Sequence, residues 1–301
     1  MIKPAKEKEL AKKFLPRNII SFFRKIIYPE KINLVEDNLH SLFCSHYQKI
    51  ASSDLSQKIA MRNAEFKVYS KNGGDGMLLH IFSKIGATNR TFVEMGVEQG
   101  RECNTANLSL NFGWRGILID ADKDWMESAQ RFYRAKLGKN ADNVKTVPCF
   151  ITAKNINETI LQNGISGEID LLSIDIDGND YWVLKAINAV NPRVIVAEYN
   201  ASFGLRPITV KYNPDFHYKK DLYFGASLLA FAKLAKEKGY ILVACDSNGH
   251  DAFFIRKDAA EGKFTELSPE EAFYSNPHLV ETIGSVEKQF NQIRYFDFEE
   301  V

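Results

Sequence analysis

Between Thr91 and Asp120 the chain runs apolar, glycine-bearing, helix-like and apolar again, and that order leaves few folds open. Thr91-Phe92-Val93 leads into Glu94-Met95-Gly96-Val97-Glu98-Gln99-Gly100, and after a helix-like stretch Gly116-Ile117-Leu118-Ile119 ends on Asp120. A strand, a glycine turn, a helix and a strand closing on a carboxylate ~20 residues after the last glycine have the spacing of a nucleotide-binding βαβ unit. Glycine lets the backbone approach a ligand closely. A carboxylate after the second strand can accept both hydroxyl hydrogens of a ribose. No Gly-Lys-Ser/Thr follows the turn, so it is not a phosphate-cradling P-loop, and the Gly-x-Gly-x-x-Gly of a dinucleotide site is missing. Glu94, two residues before the first glycine, suits a ligand that carries a cationic group better than a pyrophosphate. S-adenosylmethionine, with its ammonium and sulfonium, is such a ligand.

Strands are predicted at 91–95, 116–120, 144–147, 169–175, 193–198, 240–245 and 252–256, and helices over 101–110, 123–137, 156–162, 180–190 and 227–238. Repeated alternation of this kind implies an α/β fold, an open parallel sheet covered by helices. The last two strands are joined by the short turn Asp246–Asp251, with Asn248-Gly249 inside it. So short a connection cannot cross a sheet, and the final strand must run antiparallel. The expected architecture is a Rossmann-like, seven-stranded, mostly parallel sheet. Residues 1–64 read as an N-terminal helical extension, 65–260 as the sheet domain and 261–301 as a helical tail with Tyr295, Phe296 and Phe298 near its end. Asp75 is placed to cap the helix that carries Leu78, Leu79, Phe82 and Ile85, and Asn155 with Glu158 has the spacing of a capping box.

The run Ile169 to Asp180 ends a fourth strand on Asp175-Ile176-Asp177-Gly178-Asn179-Asp180. In parallel sheets the ligand sits beyond the carboxyl ends of the strands. Asp175 and Asp177 therefore fall beside the cofactor. Two close carboxylates repel, which raises the pKa of one toward use as a base; they can equally hold a hard cation such as Mg²⁺. A third reading makes Asp177 and Asn179 a turn, with Asp180 capping the next helix. Glu198 and Asn200, ending the fifth strand, could complete a metal site or bind substrate hydroxyls. The connection 201–225 holds Phe203, Arg206, Tyr212, Phe216, His217, Tyr218, Tyr223 and Phe224. Rings interspersed with polar groups suit a sugar-like acceptor, and His217 stands behind the two aspartates as a candidate base. His250, in the hairpin turn, reads as an ordinary exposed histidine.

Four stretches together resemble the FkbM-like methyltransferases: Gly73-Gly74-Asp75-Gly76; Phe92 to Glu98 continuing through Cys103-Asn104-Thr105 to Gly113-Trp114-Arg115-Gly116; Ile169 to Asp180 with Val183-Leu184; and Tyr223-Phe224-Gly225-Ala226-Ser227-Leu228. The resemblance covers residues 66–257, with Glu98 where the family pattern has a middle glycine. It implies methyl transfer from S-adenosylmethionine, commonly to a hydroxyl of a glycan, lipid or natural product. Carried over by position, Glu94, Gly96 and Gly100 would line the methionine part of the cofactor and Asp120 would bind its ribose, with Asp175 beside them. Two other readings stay open: a nicotinamide-dependent oxidoreductase, disfavoured by the missing glycines, and an inactive methyltransferase fold serving as a scaffold.

A formal net charge of +1 over 301 residues gives no general surface for nucleic acid. The four cysteines (Cys44, Cys103, Cys149, Cys245) lack paired metal spacing and read as reduced thiols of a cytoplasmic protein. No stretch approaches the ~20 apolar residues of a membrane span. Charge is uneven, however. Met1 to Lys31 holds nine basic residues against three acidic, a net +6, with apolar residues from Leu10 to Ile27. Such a helix can rest on an anionic membrane surface. Packing of its apolar side on the sheet domain or on a second subunit is the favoured alternative, and Pro16 interrupts a continuous membrane-lying face. Vesicle flotation separates the two. The packed extension stays down with anionic and neutral vesicles alike; flotation with anionic vesicles at low salt, reversed at high salt, identifies the membrane contact.

Overall fold

A computed structural model describes residues 56–301. The basic stretch 1–31, Cys44 and the helices expected before residue 51 lie outside the described residues. The first described helix, α1 (Gln57–Asn63), lies on the sheet domain, its Met61 buried and the Gln57 amide donating to the carbonyls of Val243 and Thr265. Then come α2 (Gly74–Ile85), β1 (Thr91–Met95), α3 (Ala106–Phe112), β2 (Arg115–Asp120), α4 (Lys123–Leu137) and β3 (Val144–Pro148). The second half runs α5 (Ile156–Gln162), β4 (Gly167–Ile174), α6 (Asp180–Ala186), β5 (Val190–Glu198), β6 (Ile208–Val210), α7 (Leu228–Glu237), β7 (Tyr240–Cys245) and β8 (Asp251–Arg256). Four short helices, α8 (Lys257–Ala260), α9 (Pro269–Ala272), α10 (Pro277–Thr282) and α11 (Val286–Ile293), precede β9 (Phe298–Glu300).

Seven strands form one sheet in the order β3-β2-β1-β4-β5-β8-β7, and β8 is antiparallel to both neighbours. The rest of the sheet is parallel. Central strands are buried on both faces, as helices on both sides require. Val93, Met95, Ile117 and Ile119 join the core on one face, while Phe92, Leu118, Leu171 and Val194 join it on the other. The predicted α/β architecture stands, with strand bounds shifted by no more than three residues. Among the described residues no helix is long and apolar enough to cross a membrane.

Several local expectations need correction. Asp75 does not cap α2. Its Oδ2 accepts from the N–H groups of Val68, Tyr69 and Ser70 at 2.8, 2.6 and 2.8 Å, and so clamps the preceding loop. Asn155 forms no capping box, because its amide is spent on Thr152 and on the Phe150 carbonyl. The helix expected from Arg101 starts only at Ala106, since Glu94 pulls the backbone of Asn104 and Thr105 toward itself. The connection 201–225 is not plain loop. It contains a 3₁₀ turn at Ala201–Phe203 and β6, which pairs with β9 of the tail.

At the amino ends of the strands, Asp170 of β4 is fully buried and bonded to Arg193 of β5 at 2.9 Å. Arg193 also donates to the carbonyls of Gly86 (2.6 Å) and Ile85 (3.0 Å), the end of α2. Asp170 further accepts from the backbone of Thr88, Asn89 and Arg90. Burial pushes the Asp170 pKa up, but the three amides and the guanidinium outweigh it and hold the group below its ordinary value of 3.8. Its stabilisation is thus present above 3.8 and lost as pH falls through the lower folded value. Asp170→Asn strands a buried guanidinium and should cost roughly 3–5 kcal/mol in urea unfolding at neutral pH. The variant should also lose the part of the acid transition that this carboxylate contributes.

Candidate functional site

The carboxyl ends of the parallel strands bring acids from four segments to one rim: Glu94 in β1, Asp120 ending β2, Asp175 after β4 and Glu198 ending β5. What sets the spacing is a close backbone approach. Gly96 has φ +74°, and a Cβ built on it would lie 1.5 Å from the carbonyl oxygen of Asp175. The turn after β1 thus rests directly on the turn after β4, and only glycine fits between them.

Asp180 holds the second turn. Its Oδ1 accepts from Ile176 N–H (2.7 Å) and its Oδ2 from Gly178 N–H (2.8 Å), while the Gly178 carbonyl takes the N–H of Gly225 (3.1 Å). Asp180 clamps the turn from the first position of α6, and its side chain makes no capping bond to that helix. Asp177 sits at φ +52° within the turn, and the Phe216 ring fills the space beside Gly178. One carboxylate oxygen each of Asp175, Asp177 and Glu198 lies within 4.8 Å of the others. Among the described residues no backbone N–H donates to any of the three carboxylates. Burial first, and then their neighbours' negative charge, pushes Asp175 well above the ordinary range, Asp177 to about 6 and Glu198 to about 8. Lys71 is the nearby cation, its Nζ 3.9 Å from Asp175 and 4.0 Å from Glu98. Burial works to lower Lys71, yet Asp175, Glu98, Glu198 and Asp177 together keep it above its ordinary value. Lys71, Glu94, Gly96, Asp175, Glu198 and His250 are among the residues that line a cavity of about 90 Å³.

The other predicted residues are placed differently. Glu94 is buried, with Oε1 accepting from Asn104 N–H (2.7 Å) and Oε2 from the N–H (2.9 Å) and hydroxyl (2.5 Å) of Thr105. It organises the chain leading into α3 from the cavity wall. Gly100 faces Ala129, Leu118 and Tyr133, so it serves the packing of α4 on β2 and does not line the cavity. Asp120 accepts from Glu98 N–H (2.8 Å) and Asp122 N–H (3.0 Å), which leaves lone pairs on both oxygens. Its charge adds to the upward shift of Asp177, so it belongs to the same rim. His217 is not brought to the acids. It is exposed, 5.3 Å from the Phe150 ring, and lines a separate cleft of about 500 Å³ with Tyr212, Phe216, Tyr223 and Phe296. Asn200 is spent on Ser202 and on the carbonyls of Leu222 and Phe224. A further cleft of about 520 Å³ lies at the amino ends of the strands, around Thr91, Arg115 and Ile169, the end that open α/β sheets do not use for ligands.

Two residues of the site went unrecognised in the sequence. Lys71 arrives through the loop that Asp75 clamps, and the lone clue was a glycine-rich turn. His250, set aside as an exposed turn residue, has Nδ1 3.4 Å from Glu198 Oε1.

Compared with known proteins, the chain matches the family model described as Methyltransferase FkbM domain over residues 28–242. No curated protein sequence matches it. Similar solved structures include an S-adenosylmethionine-dependent methyltransferase from Clostridium acetobutylicum, at 12% identity over 72% of this chain and 99% of that one, TM-score 0.41. The N-terminal domain of EvdMO1 with S-adenosylhomocysteine bound is 14% identical over 62% of this chain and 80% of that one, TM-score 0.40. The magnesium protoporphyrin IX methyltransferase from Synechocystis with S-adenosylmethionine bound is 10% identical over 75% and 96%, TM-score 0.39.

The Gly96 contact can be measured against a control. Gly113, at φ +69°, has nothing within 4 Å of its Cβ position. Gly113→Ala should cost only backbone strain, about 1–2 kcal/mol. Gly96→Ala adds a collision with backbone that has nowhere to move and should cost at least ~3 kcal/mol in urea unfolding. Equal costs would show that the two turns do not need their close approach.

Proposed function

The chain belongs to the FkbM-domain family of S-adenosylmethionine-dependent methyltransferases, and from that membership we propose that it methylates a hydroxyl oxygen of a sugar, glycan or natural product. The observation that carries the oxygen acceptor is the trio Asp175, Asp177 and Glu198. A neutral hydroxyl needs a base as it attacks, and these carboxylates are raised toward neutral pH, where a base works best. In the proposed step an acceptor oxygen lone pair forms a bond to the methyl carbon and the carbon–sulfur bond breaks. The pair returns to sulfur, leaving S-adenosylhomocysteine, and the hydroxyl proton passes to Asp175 or Asp177. Alignment of oxygen, carbon and sulfur is the protein's main contribution.

Asp120 is assigned to the cofactor ribose, and Glu94, Gly96 and Gly100 to the turn beside its methionine part, Gly100 by shaping that turn from beneath. The aromatic connection 201–225 is assigned to the acceptor, with His217 at its outer cleft. The division into extension 1–64, methyltransferase domain 65–260 and tail 261–301, and a cytoplasmic location, belong to the same proposal. The acid trio also has the oxygen donors that Mg²⁺ prefers, but Lys71 already brings a positive charge to Asp175, and the base role is the one proposed.

Asp120→Ala removes charge-assisted ribose bonds worth roughly 1.5–3 kcal/mol each, so cofactor affinity by calorimetry should fall at least ~10-fold. Unchanged affinity ends the ribose assignment, and tight NADH binding in place of S-adenosylmethionine would favour an oxidoreductase. Mass spectrometry of candidate hydroxyl acceptors with labelled cofactor identifies the substrate. With it, Asp175→Asn or Asp177→Asn should keep cofactor affinity and lose ~10²–10⁴-fold in turnover. Wild-type turnover should climb as pH rises from about 6 to about 8, following the shifts of Asp177 and Glu198, and chelator should leave it unchanged. Loss on chelation with recovery on added Mg²⁺ would reassign the trio to a cation.

A further inference from the structure

The hairpin turn between β7 and β8 is covered by the tail, and the covering is specific. The Tyr199 hydroxyl donates to the Tyr274 carbonyl (2.7 Å) and accepts from the Tyr274 N–H (3.2 Å). Gly249, at φ +70°, lies so close that a Cβ there would come within 2.7 Å of the Tyr274 carbonyl and 2.9 Å of the Asn276 nitrogen. These contacts hold Asn276 against His250, with the amide nitrogen Nδ2 2.9 Å from the ring Nε2.

The amide's orientation follows from a second bond. Asn276 caps α10, and the backbone N–H of Leu279 reaches its side chain at 3.1 Å. A backbone N–H can only donate, so the atom it meets is the amide oxygen, and the group facing His250 is the NH₂. That group can only donate, so Nε2 accepts. A neutral ring with Nε2 as acceptor carries its proton on Nδ1. Nδ1 points at Glu198 Oε1, 3.4 Å away. The backbone on either side is fixed too: His250 N–H donates to Asp246 (3.3 Å) and its carbonyl accepts from Tyr199 (2.7 Å). The other charged groups around the pair are Asp251 in β8, Asp175, Asp177 and Asp180 beyond β4, and Lys71 in the clamped loop; of these, Asp175 shares a side-chain hydrogen bond with Glu198.

We propose that His250 is a positioning residue of this site: Asn276 in the tail fixes its Nδ1–H tautomer, and that N–H holds the Glu198 carboxylate beside Asp175. Residues 274–276 of the tail thereby act on the site through His250. Because Glu198 is a member of the acid trio, the catalytic consequence rests on the methyl-transfer reading, whereas the tautomer does not.

The test uses the full chain with ¹⁵N-labelled histidine, bound to S-adenosylhomocysteine, at a pH above the ordinary histidine value of ~6.5. Ring ¹⁵N shifts should show a proton on Nδ1 and none on Nε2 of His250. Asn276→Asp keeps a good cap for α10 but offers Nε2 only an acceptor, so Nε2 should become proton-bearing. A wild-type ring protonated on Nε2, or an Nε2 signal indifferent to Asn276→Asp, overturns the proposal. Asn276→Ser also keeps the cap and cannot reach the ring. With whichever acceptor gains mass in the labelled-cofactor screen, it should lower kcat ~10-fold and leave cofactor affinity and acceptor KM unchanged. Unchanged kcat beside the expected spectra would remove the positioning role, and failure to bind S-adenosylmethionine at all would instead remove the methyltransferase reading while the spectra still report the tautomer.

Discussion

Everything at the rim of this sheet depends on two backbones meeting without a side chain between them. Gly96 occupies the space beside the Asp175 carbonyl so closely that no Cβ fits. Because β1 and β4 are hydrogen-bonded neighbours, their turns must diverge or interlock, and here they interlock. The contact sets where the segment after Gly96 can run and which way the Asp175 turn points. It also brings the Asp120 rim within electrostatic reach of Asp177. Interlocking of this sort is unforgiving, since close-packed interiors transmit a shift of one turn to the next.

A second regularity sorts the buried acids. Asp75, Glu94, Asp170, Asp180 and Asp246 each accept two or more backbone N–H groups and so act as clamps at turns. These bonds tie each carboxylate to the local backbone; Asp120 is tied in the same way by Glu98 and Asp122 but keeps lone pairs on both oxygens. Among the described residues Asp175, Asp177 and Glu198 receive no backbone donor, and burial followed by their neighbours' negative charge raises their pKa values. The two sets therefore differ in what their oxygens bond and not in the direction of their pKa shifts, since burial also raises Asp75, Glu94, Asp180 and Asp246, the last to about 7. Lys71 and His250, both carried on turns, face the trio at Asp175 and Glu198.

The tail adds a structural layer that local reading undervalues. Its strand β9 pairs with β6, its aromatic residue Phe298 packs beside Phe203 and Phe290, and its residues 274–276 fold over the hairpin. A polar, helix-like segment looks peripheral when each residue is considered with its sequence neighbours. Its contacts here include residues 26 to 95 positions away, which no periodicity of 2 or 3.6 can register.

The sequence by itself determined the sheet, its strand-helix alternation and its antiparallel last strand, because hydrophobic period and connection length are local quantities. It also determined that Glu94, Asp120, Asp175, Asp177 and Glu198 would gather at one end, since parallel strands all point their carboxyl ends the same way. Only the tertiary structure decided which acids are consumed as clamps. It also decided that Gly100 serves helix packing, that His217 stands apart, and that Asn276, Lys71 and His250 come to the rim. Those outcomes turn on which backbone N–H groups and which loop ends arrive nearby, and that is settled by long-range packing, not by any spacing along the chain.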